Sequence, residues 1–301
     1  GTVKGITHAE PSADAPAPMG LALVTLSKPV WAYGLEAFEG ILPRKEGRLR
    51  RVAFAQLALP GAYSDVDAAM RKPEDELGRL SRAIPLWLAE TFYFSPLYSS
   101  IAALGCFHGA GGDRRPAIFP TDWAVENVGQ LADTTTEGLD YIFTGSIRRE
   151  QGELSLVLRI WEAKKRRERK MISTRWTAAN ADAELRKLHE YVRAYMEWGP
   201  YPDGSGIPYS PPSAPTAWLD ALGALLSLFL VEKNLLPREQ LGEFLPVFDA
   251  FAPHAFSPPA SSLAWISLRA RASSLGLAPN LNDVLLSRHP AVVQARTLID
   301  A

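Results

Sequence analysis

The chain has 301 residues, which is enough for one large domain or for two domains of ordinary size. Hydrophobic residues make up 47% of the chain and charged residues 22%, as is usual in a soluble globular protein. The formal net charge of −1 excludes a global field that would draw the chain to nucleic acid or to an anionic membrane.

Cysteine content and hydropathy restrict the class of protein further. A single cysteine, Cys106, excludes an internal disulfide. This fits a reducing compartment, but many periplasmic proteins also lack disulfides, so the localisation stays open between the periplasm or envelope and the cytoplasm. The strongly apolar, uncharged stretch in the carboxy-terminal part, residues 221–231, is shorter than the roughly 20 residues of a membrane-spanning helix, and we expect no span.

The first half of the chain predicts strands that alternate with helices. Residues 1–20 are small, polar and proline-rich, and we expect a flexible tail. Pro73, followed by acidic residues 74–76, indicates the start of a helix over 74–94, because both suit the amino-terminal turn. The other predicted elements of this region are strands at 21–26, 49–59, 99–104 and 116–119 and a helix at 122–135.

A three-stranded meander is the strongest pattern in the sequence. Strands are predicted at 140–150, 153–162 and 171–177, since these segments are rich in β-branched, aromatic and leucine residues that alternate with polar ones. Gln151-Gly152 suits the tight first turn, and the charged run 164–170 predicts a solvated second turn. A helix is predicted at 181–198, with Asn180 as its cap. The order of strands and helices up to this point is that of an α/β domain.

The carboxy-terminal third differs in pattern from the rest. Residues 199–215 are dominated by proline and glycine and predict a linker between an α/β domain at 21–198 and a helical, repeat-like domain at 216–301. The fold class is therefore α/β (α+β), a mixed sheet with helices packed on it, plus a C-terminal all-helical domain. The predicted helices of that domain cover 216–233, 238–251, 261–275, 282–288 and 291–300.

The meander resembles a known family. Asp140, Tyr141 and the pair Gly145-Ser146 match the aspartate, tyrosine and Gly-Ser of one strand in TolB-type amino-terminal domains. The next strand of that family alternates leucine-type residues and ends in an acidic residue and alanine, here Glu162 and Ala163. The similarity covers roughly residues 49–198, and envelope lipoproteins of the CsgG and LpoB kind have the same topology.

The resemblance implies a non-catalytic assembly or docking module that binds other proteins and is often paired with helical repeats of the TPR type. It implies no cofactor. The long amino-terminal region and the very basic second turn depart from the family pattern, so the partner and location do not carry over.

The basic turn is the first candidate binding site. Its cations could contact phosphate or lipid head groups, and Trp161 and Trp176 flank them. A solvated turn that protects the sheet from aggregation is the plainer reading. The candidate residues are Lys164, Lys165, Arg166, Arg167, Arg169 and Lys170.

A glycine-rich loop over residues 105–112 is the second candidate. Its backbone N–H groups, with Arg114 and Arg115, could hold an anion, although no phosphate-binding signature follows and a plain flexible loop is favoured. Cys106 and His108 could act as nucleophile and base only with a third, orienting group, which the sequence does not show. We therefore expect no enzyme.

Aromatic residues give a third candidate. Phe92, Tyr93 and Phe94 end the first predicted helix and belong either to the core, which is favoured, or to an exposed docking patch. The five histidines are scattered without ligand spacing, and we expect no metal site.

These observations favour a non-catalytic binding or scaffold protein in a bacterial assembly, in the envelope or in secretion. The alternative is a regulatory or sensory module that binds an anionic ligand or nucleic acid through the basic turn 164–170 and the loop 105–115.

Overall fold

The computed structural model describes residues 20–35, 40–109, 114–135, 138–202, 204–242, 245–255 and 258–277. The predicted helices at 282–288 and 291–300 lie outside these residues, as do residues 1–19 of the predicted tail.

Seven strands form one mixed sheet, which confirms the predicted fold class. The strand order is β1-β3-β2-β5-β6-β7, with β4 paired to β3. Strands β2, β3 and β5 run parallel to one another, and the other pairs are antiparallel. The strands are β1 (Gly20–Leu26), β2 (Arg50–Ala55), β3 (Tyr98–His108), β4 (Arg114–Pro116), β5 (Tyr141–Glu150), β6 (Glu153–Glu162) and β7 (Arg167–Trp176).

Seven helices are seen in the described part of the chain. They are α1 (Val66–Ala69), α2 (Glu76–Tyr93), α3 (Val125–Thr134), α4 (Ala181–Tyr195), α5 (Pro215–Glu232), α6 (Leu245–Phe251) and α7 (Pro259–Ser274). Between them, 3-10 turns occupy Val30–Ala32, Ala163–Lys165, Arg238–Gln240 and Ala252–His254.

The alternation of side chains along β2 divides the core between the two faces of the sheet. Val52 and Phe54 point to the face that carries α2, where Phe54 packs against Phe92 with ring centroids 5.2 Å apart. Ala53 and Ala55 point to the opposite face, where small residues pack with α3. A two-residue side-chain period thus produces a thick core on one side and a thin one on the other.

Helix α2 is buried on almost every side and is the centre of the molecule. Asp75 starts it by accepting a hydrogen bond from the backbone N–H of Gly78 at 2.8 Å. The helix continues through Pro85, which has no N–H to give to the carbonyl of Ser81. The backbone N–H of Leu57, just after β2, donates to that carbonyl instead, at 2.9 Å.

The helical part and the sheet share one hydrophobic core. Helix α5 packs against α2, and Arg79 of α2 forms an ion pair with Asp220 of α5 at 2.7 Å. Thr216 lies in the first turn of α5, and both its N–H and its hydroxyl donate to Asp182 of α4 at 2.8 Å. Buried residues from both regions therefore belong to a single cluster.

A buried polar network also lies at this junction. The ring of His189 stacks on Trp87 with centroids 4.6 Å apart, and its Nε2 lies 3.0 Å from both the Thr91 and the Tyr209 hydroxyls. Tyr209 comes from the segment predicted to be a linker, so that segment contributes to the interior at this point.

Helix α5 is long and apolar enough to cross a membrane by length and composition alone, with a mean hydropathy of 1.3. In the structure, 72% of it is buried inside the protein. Core helices that are apolar all round have this composition.

Several element boundaries differ from those predicted. Strand β7 begins at Arg167, four residues before the predicted start, because a 3-10 turn and Arg166 at φ +48° reverse the chain within a short distance. Asn180 stands at the cap position of α4, but its side chain accepts from the N–H of Thr177 at 2.8 Å. The helix predicted over 238–251 is a 3-10 turn followed by α6.

Candidate functional site

The outer edge of β1 is the most open backbone of the sheet. Strand β1 pairs with β3 on one side, from Gly20 opposite His108 to Leu26 opposite Ala102. Among the residues that the structure describes, no strand pairs with its other side. The strand, GLALVTL, has no charged residue, and Leu21 is 56% exposed. An uncharged edge of this kind is a template for the pairing of another strand.

The opposite edge of the sheet, β7, has the reverse character. Its sequence, RERKMISTRW, carries five charged side chains, and exposed and half-buried residues alternate along it. Charged edge strands resist pairing with further strands, because a charge would have to leave water. The two edges of the sheet therefore differ sharply in their capacity to accept a partner.

The structure brings the predicted basic residues together but surrounds them with acids. Lys164 pairs with Asp140 at 3.0 Å, and Arg166 pairs with Asp133 at 3.2 Å. Lys170 lies over the ring of Tyr191, with its Nζ 5.8 Å from the ring centroid. The run is also only partly a turn, since Arg167 already belongs to β7.

Glu162 is the main acidic partner of this basic turn. It forms ion pairs with Lys165 at 3.2 Å, Arg167 at 2.8 Å and Arg169 at 3.7 Å. The hydrogen bond from Lys165 lowers the pKa of the Glu162 carboxyl, and Arg167 lowers it further. Local pairing of this kind weakens the field that the turn presents to an outside anion.

The two arginines after the glycine-rich loop are not arranged as a clamp. Arg114 donates to the backbone carbonyl of Asn234 at 2.7 Å. Arg115 is only 8% exposed and lies 3.4 Å from Asp67. They are neighbours in β4 and so point to opposite faces of the sheet. Residues 110–113 of the predicted loop lie outside the described residues.

The structure places two of the three aromatic candidates in the core, which is the favoured interpretation, and it corrects their assignment as binding residues of a docking patch. Phe92 is 0% and Phe94 is 2% exposed, so neither offers a surface to a partner. Phe92, in the last turn of α2, packs against Phe54 of the sheet, and Phe94 stacks with Trp31. Tyr93 is half-buried. Large apolar side chains at the end of a central helix gain more free energy from burial than from exposure.

Cys106 and His108 lie two residues apart on β3. Cys106 is 2% exposed, and its Sγ lies 3.5 Å from the backbone carbonyl of Leu235. Burial raises the pKa of the Cys106 thiol, which opposes formation of the thiolate that a nucleophile requires.

Two features of the structure were not located from the sequence. One is the β1 edge, for which the uncharged run of residues 20–26 was an available signal. The other is a cavity beside α1 and the start of α2, which contains the buried Arg82. Its walls are far apart in the chain, so no local pattern reveals it. In the described part of the chain, no group of three or more His, Cys, Asp or Glu side chains could hold a metal ion.

Comparisons with known proteins give little. No protein-family model matches the chain, and no curated protein matches it. Among solved structures, the crystal structure of TolB from Acinetobacter baumannii is similar, with a TM-score of 0.29 and 12% sequence identity. The match covers 63% of this chain and 32% of that one, so the chain matches about a third of the TolB chain's length. A similarity of this size supports a TolB-like fold at most and carries no argument about function.

Proposed function

We propose that the protein is a non-catalytic binding or scaffold protein that takes up an extended segment of another protein along β1. The observation that carries this proposal is the uncharged outer edge of β1, which has no strand partner among the described residues. Strand addition at such an edge gains affinity from main-chain hydrogen bonds.

The side chains beside that edge support a choice of partner sequence. Leu21 and Thr25 are exposed, and Leu23 between them is half-buried against the thin side of the core. An added strand with apolar residues at alternate positions would bury Leu21 and cover Leu23. The partner class is thus an extended, apolar-alternating peptide segment. We place it in a bacterial envelope or secretion assembly, on the sequence resemblance of the meander alone.

The test uses lysine substitutions that disfavour strand pairing at the β1 edge and leave the buried core residues unchanged. Leu21→Lys together with Thr25→Lys adds two charges to exposed positions of β1, and Ser173→Lys adds one to the exposed β7 as a matched control. Photo-cross-linkers placed at position 22 in each variant, with cross-linked peptides sequenced from the native source, report on strand pairing.

We expect one extended peptide segment to cross-link to β1 in the unmodified protein and in Ser173→Lys, and its yield to fall at least about tenfold in the double variant. Equal yields in the double variant would show that the partner does not bind along this edge.

A further inference from the structure

A cavity of about 400 Å³ lies where the sheet and the helical part meet. It is bounded by the segment that carries α1, by the first turn of α2, by α5 and by the turn Arg238–Gln240. Its volume is within the range of small-molecule sites, roughly 300–1,000 Å³. It is separate from the β1 edge, so what it binds goes beyond the proposed protein-binding function.

A buried arginine lies at the wall of this cavity. Arg82 is 4% exposed and forms an ion pair with Glu74, its one ion-pair or hydrogen-bond partner among the described residues. Burial lowers the pKa of Arg82 to about 10, so the guanidinium keeps its charge at neutral pH. A guanidinium has five N–H groups, and those that Glu74 does not take are available to a carboxylate in the cavity.

Carboxylates line another part of the cavity. Asp75 uses Oδ1 to accept from the N–H of Gly78 at 2.8 Å and from the hydroxyl of Tyr63 at 2.7 Å. Asp65 uses Oδ1 to accept from the N–H of Ala68 at 2.9 Å. The Oδ2 atom of each has no hydrogen-bond partner in the described part of the chain. These oxygens can accept hydrogen bonds from an ammonium group.

The balance of charge decides the class of ligand. The walls carry Asp65, Glu74 and Asp75 against Lys72 and Arg82, a formal charge of −1. A simple anion would meet three carboxylates, and a simple cation would leave the N–H groups of Arg82 unused and would face its charge. A molecule with both charges satisfies both sides.

Part of the remaining wall is apolar, beside the polar Ser64, Ser227 and Gln240. It is formed by small and branched side chains that would pack against a hydrocarbon group, namely Ala62, Ala69, Met70, Pro116, Ile118 and Leu236. We propose that this cavity binds a free α-amino acid with an apolar side chain, with its carboxylate at Arg82 and its ammonium group at Asp65 and Asp75.

The first experiment compares ligands that differ in one charge. The midpoint of thermal unfolding is measured with L-leucine, L-methionine and L-valine at millimolar concentration, and with isocaproate and isoamylamine. These two are leucine without its ammonium group and leucine without its carboxylate. A ligand that binds only the folded state stabilises it by RT ln(1 + [L]/Kd), so the midpoint rises with the logarithm of the ligand concentration once that concentration exceeds Kd. We expect at least one of the amino acids to raise the midpoint with this logarithmic dependence on concentration, and both analogues to leave it unchanged.

The second experiment locates the site. Ala69→Phe fills the cavity without removing a polar group, and Ala194→Phe places the same side chain on the exposed surface of α4 as a control. Amino-acid affinity, measured by calorimetry, should fall at least about tenfold in the first variant and stay unchanged in the second. Arg82→Lys keeps a charge but loses the planar fork and should also weaken binding; where that variant fails to fold, Ala69→Phe decides.

Three results would overturn the proposal. The first is that none of the three amino acids raises the midpoint. The second is that isocaproate or isoamylamine binds as well as leucine does, since the site would then recognise one charge only. The third is that Ala69→Phe binds the amino acid as tightly as Ala194→Phe does.

Discussion

Glu90 is a carboxyl group in the interior of α2 and is 3% exposed. Trp31 donates to its Oε1 at 3.3 Å, whereas its Oε2 has no hydrogen-bond partner among the described residues. Burial raises the pKa of Glu90 from 4.5 to about 8, because the charged form would be separated from water. Near neutral pH the folded protein therefore holds Glu90 in its protonated form.

The sign of the resulting pH dependence follows from the raised pKa. Between pH 4.5 and about 8 the folded state keeps the Glu90 proton, whereas the unfolded state releases it. The contribution of this group to the free energy of unfolding is therefore complete below pH 4.5 and is lost as pH rises to about 8. Burial lowers the pKa of the nearby His189 to about 3, which gives the opposite slope below its ordinary value of 6.5.

We expect Glu90→Gln to gain stability relative to the unmodified protein as pH rises, by about 1.4 kcal/mol per pH unit between pH 5 and 8. Glutamine matches the shape of the protonated carboxyl but does not ionise. The measurement is the free energy of unfolding in urea at a series of pH values. Using the difference between the two proteins removes the contribution of His189. Glu150→Gln, the same substitution at an exposed position, is the control. A flat difference for Glu90→Gln would contradict a buried, protonated carboxyl.

At the scale of the elements, strands β5 and β6 approach each other closely at Gly145. A Cβ on this residue would lie 2.1 Å from the backbone carbonyl oxygen of Val157, so the two strands would have to separate. The same residue also holds the chain after β2, since its carbonyl accepts from the N–H of Ala58 at 2.9 Å. The close approach of the two strands thus explains why the first residue of the Gly-Ser pair is a glycine.

We expect Gly145→Ala to lower the free energy of unfolding by about 3–5 kcal/mol, because backbone atoms must move. Gly152→Ala is the matched control in the turn between the same strands. Its φ of +84° disfavours alanine, but no atom lies within 4 Å of the added Cβ, so its cost should be only about 1–2 kcal/mol. Urea denaturation of both variants measures the difference. Equal losses would show that crowding at Gly145 is relieved without cost.

The elements show how far the sequence determines the fold. The meander was predictable because Leu154, Leu156 and their neighbours alternate with polar residues, a local pattern that matches β6 closely. The position of β1 at the edge depends on its pairing with β3, about 80 residues away, which no local pattern shows. The same limit applies to the basic turn: its charges are evident, but the acids that pair with them come from α3, from the residue before β5 and from β6.

At the scale of the whole molecule, the shared core predicts that the sheet and the helical part unfold together. Leu225 of α5 is fully buried in the cluster that also contains the sheet residues. Leu225→Ala should lower the free energy of unfolding by about 2–5 kcal/mol, through lost burial and the cavity left behind.

Hydrogen exchange of individual amides is the measurement that separates one cooperative unit from two. In Leu225→Ala, the slowest amides of β5 and β6 should lose as much protection as those of α5. Leu97→Ala, at a position that is 42% exposed, is the control and should change the protection of the sheet amides and of the α5 amides little. Sheet amides that keep full protection while α5 loses it would show that the two regions unfold independently.

The unlike edges of the sheet also limit how copies of this chain can grow into larger structures. A sheet that extends from subunit to subunit needs an edge strand that can pair at both ends, so that each added subunit provides an edge for the next. Here β1 can accept a strand and the charged β7 resists one. Two copies that meet along β1 would form a closed pair with two-fold symmetry, and no filament could extend from it through the sheet.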